Sequence, residues 1–192
     1  IRIAHALHDG QPPVLDGAFE PERFLASWAC LPDMKVPQSE EDCSFARTLA
    51  ESAGRRLLER SRADAGGRKW PMDGTSTQLL PNFSHGTAGV AYFLATLFQA
   101  TQDRAFLDAS VAGAAYLKAI ANTDGDMCLV FHHEPDDAGR SLYYLGWCHG
   151  PAGTARLWYR LWQVTGDRAW LEWAAKSARA IVASGIPERQ TP

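Results

Sequence analysis

Ser84-His85-Gly86-Thr87-Ala88-Gly89 and Cys148-His149-Gly150-Pro151-Ala152-Gly153 are two copies of one pattern, and their agreement decides the fold. Past the glycines the copies stay in step without a gap. Gln99, Thr101, Asp103, Arg104, Ala105 and Leu107 fall opposite Gln163, Thr165, Asp167, Arg168, Ala169 and Leu171. Self-similarity at a fixed offset marks a repeat architecture. The unit reads as helix, short turn, helix, then a long connection.

Residues 86–100 are apolar almost all round, which predicts a helix buried on every side. Asp103 then breaks the run and suits the N-cap of a second helix over 104–121. There Phe106, Leu107, Val111, Ala114, Ala115 and Leu117 fall on one side, the pattern of an outer helix packed on an inner one. The second copy repeats the plan. Pro151 opens its inner helix, where a missing N–H costs nothing. Gly166-Asp167 ends that helix and caps an outer helix running to Ala183. Upstream, residues 45–60 resemble a further outer helix, followed by a polar stretch over 61–68 and by Lys69-Trp70-Pro71-Met72, expected to pack on a face of the array. Residues 1–42 form an irregular, Pro-bearing segment with one short helix over 21–30. The tail beyond Ser184 resembles a connection into another inner helix. The expected organisation is an all-α helix-pair array over 43–192, part of a larger closed or curved one.

Composition excludes several function classes. In 192 residues the net charge is −3, which leaves no basic footprint for nucleic acid. No run is long enough to span a membrane, and the first residues lack a signal-peptide layout. Four Cys without regular spacing read as reduced thiols of a cytoplasmic protein.

Cys148 and His149 stand at a helix start, where unpaired N–H groups and the macrodipole favour a thiolate and a neutral imidazole. Such a cysteine is a zinc ligand, a nucleophile, or a thiol packed under the helix. One Cys with one adjacent His does not make a zinc site, which takes three or four ligands. His85 caps its helix or serves chemistry. Gly86, Gly89, Gly150 and Gly153 read as packing residues that let inner helices crowd together. His132-His133-Glu134 reads as a loop at the rim, since consecutive side chains of an extended stretch face opposite ways. Arg156 and Arg160, four apart on an inner helix, are expected to pair with acids between repeats or to line a cavity for an acidic peptide.

The motifs Asn82-Phe83-Ser84-His85-Gly86-Thr87-Ala88-Gly89 and Leu145-Gly146-Trp147-Cys148-His149-Gly150-Pro151-Ala152-Gly153, on alternating inner and outer helices, resemble the lanthionine synthetase C-like family over residues 44–192. The resemblance implies an (α/α) toroid, partial in this chain, with a zinc ion at one end of the barrel. It implies an activity too: a thiol, from a peptide Cys or a small thiol, adds to a dehydroamino acid to form a thioether. Residue by residue, it makes Cys148 a zinc ligand and His85 the catalytic proton carrier, with Trp147 and His149 in the substrate pocket. The family's other zinc ligands come from a motif on a following inner helix, and no such motif lies in this chain. Cys30, Cys43 and Cys128 lack the Gly-rich helix start, and Asp16 is a poor match for the family's early Asp. Two other readings stay open: a non-catalytic peptide-binding scaffold, and a carbohydrate enzyme on an α/α barrel. The second needs paired carboxylates, and these helix starts carry His and Cys instead.

Overall fold

The computed structural model of the chain describes residues 40–71, 79–134 and 142–185. The chain divides into two compact units, residues 1–49 and 50–192. Of the first, the described residues are 40–49, all helical. The short helix read over 21–30, Asp16, Cys30 and the tail from residue 186 onward lie outside the described residues.

The first helix, α1 (Glu40–Arg60), starts earlier than the 45–60 read from the sequence. In the second unit its last turns are fixed by packing and by backbone. Gly54 lies against Leu97 and Phe106, with no room for a Cβ, and the Leu57 carbonyl accepts the Trp70 indole N–H at 2.7 Å. Trp70 is buried, as its place before the first motif suggested.

The polar stretch over 61–68 is not a plain connection. It holds a hairpin of β1 (Arg62–Asp64) and β2 (Gly67–Lys69), paired antiparallel with Arg62 opposite Lys69 and Asp64 opposite Gly67. Ala65 and Gly66 turn it, both with positive φ. A turn of that hand matches the twist of the strands it joins. Three-residue strands are too short to show a period, so hydropathy gave no sign of them. Gly67 rests directly on the backbone of residues 112 and 116.

Next come the two repeats: α2 (Thr87–Thr101) with α3 (Arg104–Ile120), and α4 (Pro151–Thr165) with α5 (Ala169–Ala183). Each inner helix packs on its own outer helix, and α2 packs on α4. The turns form as read. Asp103 Oδ1 accepts from the Ala105 amide at 2.9 Å, and Asp167 Oδ1 from the Ala169 amide at 2.9 Å. Both inner helices end on a left-handed residue, Gln102 and Gly166. Gln102 takes that conformation without being glycine, its side-chain amide donating to the Gln99 carbonyl at 3.0 Å.

One core runs through these four helices. Leu94, Phe106, Tyr116, Leu117, Leu157, Trp158 and Leu161 are among its largest fully buried members, with Trp158 stacked on Trp170 at 6.0 Å. The second inner helix departs from the expected all-round burial: Arg156 and Tyr159 lie on an exposed face. Among the described residues no helix is long and apolar enough to cross a membrane.

Candidate functional site

The two helix starts are built alike and tied together. Gly86 and Gly150 are the N-caps, both with extended backbone that any residue adopts. Glycine is required there by space. At each of Gly86, Gly89, Gly150 and Gly153 a Cβ would strike the carbonyl group six residues earlier: Leu80, Phe83, Tyr144 and Trp147 respectively. So the glycines mainly seat the preceding loop on the helix start. Only Gly153 also meets the other repeat, at Phe83 Cβ. The loop carbonyls take up helix N–H groups that have no partner within the helix. The Thr87 amide donates to Leu80 O at 3.2 Å and Ala88 to Pro81 O at 3.0 Å. Pro151 occupies the place of Thr87 in the second copy and has no N–H to donate. A bond between repeats completes the frame, from the Ser84 amide to the Cys148 carbonyl at 2.9 Å.

That bond brings His85 and His149 together, their rings 5.8 Å apart. Cys148 is exposed, and so is His85. Trp147 is half exposed and meets Phe83 edge-on at 5.3 Å. The four sequence-predicted residues therefore share one surface at the N-terminal ends of α2 and α4. Their neighbours include His132 and His133, read from the sequence as part of a loop at the rim. His132 packs edge-to-face on His149 at 4.7 Å and on Tyr144 at 4.7 Å. His133 follows, 5.1 Å from His132. Long-range backbone pairing holds this segment. Leu79 and Glu134 form an antiparallel bridge, and the His132 amide donates to Leu142 O at 2.8 Å. No local sequence signal marks such a contact.

The imidazoles of His132 and His149 are pushed below the ordinary histidine range. Burial is the main cause. For His132 the nearby His149 and His133 add to it, and for His149 the nearby His85 does. The buried Nδ1 atoms of His132 and His149 have no hydrogen-bond partner. Neutral imidazoles with a bare nitrogen can accept a proton.

One sequence expectation gains detail and one needs correction. Arg160 is buried and donates to Gln99 Oε1 at 2.7 Å and to Tyr92 Oη at 3.2 Å, two neutral oxygens on the neighbouring inner helix. Glu134 belongs to no rim loop. It is buried and paired with Lys69 at 3.0 Å, while the Tyr116 hydroxyl donates to its other oxygen.

Cys148 fits a zinc ion as one soft donor at an open helix start. Among the described residues no three His, Cys, Asp or Glu side chains are grouped to hold a metal. Cys128, by contrast, is buried, and its thiol is pushed up to about 11, chiefly by burial. A thiol reagent at pH 8 is expected to modify Cys148 within minutes in the folded chain. Cys128 should react only after denaturation. Peptide mapping of the labelled sites checks this, and rapid native labelling of Cys128 would contradict its burial.

The sequence profile of the lanthionine synthetase C-like protein family matches residues 46–191. No curated protein sequence matches the chain. Among solved structures, the chain is similar to a glycoside hydrolase family 76 (mannosidase) protein, Bt3792 from Bacteroides thetaiotaomicron VPI-5482. The TM-score is 0.56 at 17% identity, and the match covers 83% of this chain and 41% of that one. At that identity the likeness speaks to the helical fold, and the chain spans less than half of that protein's length.

Proposed function

Because the chain belongs to the lanthionine synthetase C-like protein family, we propose that it forms part of a thioether-forming enzyme, one that adds a thiol across the double bond of a dehydroamino acid. The observation that carries this reading is the bond from the Ser84 amide to the Cys148 carbonyl, which joins two helix starts that carry an exposed thiol and two imidazole rings 5.8 Å apart.

The reaction needs a proton removed from the thiol and a proton delivered to carbon. The thiolate attacks the β-carbon, the π-electron pair moves to the α-carbon as an enolate, and that carbon is then protonated. His85 is exposed beside His149 and is suited to take the thiol proton and return it to the α-carbon. His149, held below the ordinary histidine range by burial, stays neutral and can share that duty. Trp147 offers an apolar wall on which the dehydroamino acid can lie. Cys148 would be one ligand of a zinc ion whose other ligands stand outside the described residues. Such an ion lowers the pKa of a bound substrate thiol.

The test is metal content and turnover together. The protein carrying Cys148→Ala is expected to lose bound zinc by elemental analysis. His85→Ala should keep the metal and lose about 10²–10⁴-fold in the rate of thiol addition to a dehydroalanine peptide. Unchanged zinc content in the Cys148 variant would reject that residue as a ligand.

A second reading, a peptide-binding scaffold without catalysis, rests on the half-exposed Trp147 and the exposed Arg156 near the same helix start, which can hold a peptide without any chemistry. Protein that holds no zinc as isolated yet binds peptide would support it.

A further inference from the structure

From the mouth of the site, a ladder of rings and guanidinium groups runs down the seam between α2 and α4. Trp147 meets Phe83, and Phe83 meets Tyr92 edge-on at 5.3 Å. The Arg156 guanidinium carbon lies 5.5 Å from the centroids of both Phe83 and Tyr92. One turn further on, Arg160 is buried and lies 5.2 Å from the Tyr92 ring centroid. Its hydrogen bonds to Tyr92 and Gln99 hold that ring in place. Burial alone would raise the Tyr92 phenol, but hydrogen bonds and charge from Arg160 and Arg156 outweigh it and bring it below the ordinary tyrosine value.

Arg156 differs from Arg160 in being exposed. Two aromatic rings restrict its guanidinium, so little freedom is left to lose when a ligand binds. Its planar fork of five donors suits a carboxylate, and one hydroxyl, that of Tyr92, does not exhaust it. Trp147, which meets the same Phe83 ring, exposes half its surface.

We propose that Arg156 anchors a carboxylate of the substrate, with Trp147, on the other side of their shared neighbour Phe83 in the ladder, as an apolar floor. This deepens the thioether-forming reading and depends on it only for the reacting end of the substrate. Helical rise puts Arg156 about 9 Å along α4 from Gly150. An extended peptide covers that distance in about three residues. The favoured ligand is therefore an acidic peptide with Glu or Asp about three residues from the reacting position, or a small thiol that carries a carboxylate.

The test is fluorescence anisotropy on the full chain with two labelled decapeptides, identical except for three Glu in one and three Gln in the other. The Glu peptide is expected to bind about tenfold tighter, the scale of one charge-assisted hydrogen bond. Arg156→Gln should erase the preference, Arg156→Lys should keep part of it, and the distant control Arg104→Gln should keep all of it. Reduced glutathione and its diethyl ester serve as competitors. Displacement by the acid alone extends the ligand class to small thiols, and failure of both assigns the carboxylate to peptides. Equal binding of the two peptides to the unmodified chain overturns the proposal. So does a tenfold preference that survives in Arg156→Gln with its circular dichroism unchanged. Because the readout is binding, it separates from turnover. A chain that adds no thiol but prefers the Glu peptide loses the reaction and keeps the carboxylate subsite.

Discussion

Gly86→Ala is expected to cost the chain about 4 kcal/mol, from a backbone forced apart and from helix N–H groups left without acceptors. A domain of ordinary stability has about 5–15 kcal/mol in all. The cause is space. Gly86 has φ −139°, which alanine adopts freely. The new methyl would fall on the Leu80 carbonyl and close to the Asn82 carbonyl oxygen. Neither is a flexible side-chain end. The 80–83 loop must lift, and with it go the bonds from Thr87 to Leu80 and from Ala88 to Pro81. Asn82 is fully buried and donates to the Phe131 carbonyl at 2.8 Å, so the loop cannot move alone. Gly146→Ala is the control. It has open space around it and no positive φ, and its urea midpoint should match the parent. If Gly86→Ala unfolds at the same urea concentration as Gly146→Ala, the loop is not held as described.

The same glycines explain why so much of this fold could be read from sequence. A helix start that must seat a carbonyl under a Gly, twice over, leaves its spacing in the chain, and the apolar run beyond it leaves a helix. Asp103 and Asp167 announced their turns because a side-chain cap is a local bond. What escaped was made by contacts distant in sequence. The hairpin of Arg62–Asp64 with Gly67–Lys69 has strands too short for a period. His132 reaches His149 because Leu79 and Leu142 pair with its segment, and neither partner is visible from the His-His-Glu string. Arg160 reaches Gln99 and Tyr92 across the seam between α2 and α4, partners 61 and 68 residues away in sequence that no local pattern marks. Within the candidate site, family resemblance singled out Cys148, His85, Trp147 and His149; the sequence also put His132 and His133 at a rim and Arg156 at a cavity, but their contacts with His149 and with Phe83 and Tyr92 emerge only in three dimensions.

Glu134→Ala should be nearly as damaging as the glycine change, by about 3–5 kcal/mol, the range for breaking a buried ion pair on one side. Glu134 and Lys69 are both buried. Without the carboxylate, the Lys69 ammonium keeps Asp64, which is half exposed, and the face of the Tyr116 ring, and the bond from the Tyr116 hydroxyl to Glu134 is lost. A thermal midpoint lower by on the order of 10 °C follows. Replacing both charged residues together, Lys69→Met with Glu134→Leu, should be far milder, because the pair gains little over apolar packing and the penalty lies in a charge left alone. The pH dependence has a definite sign. Burial pulls the Lys69 amine down, but its hydrogen bonds to Asp64 and Glu134 outweigh burial and raise it above the ordinary lysine value. The stability it contributes is thus fully present below the unfolded lysine pKa and is lost as pH rises through the folded one. The parent should lose stability at strongly alkaline pH more steeply than the double variant, and parallel curves would show that the pair carries no such linkage. Because Glu134 also pairs with Leu79 through its backbone, the single variant should loosen the His132 segment that packs on His149. Amide exchange at residue 132 would then rise in Glu134→Ala and stay low in the double variant.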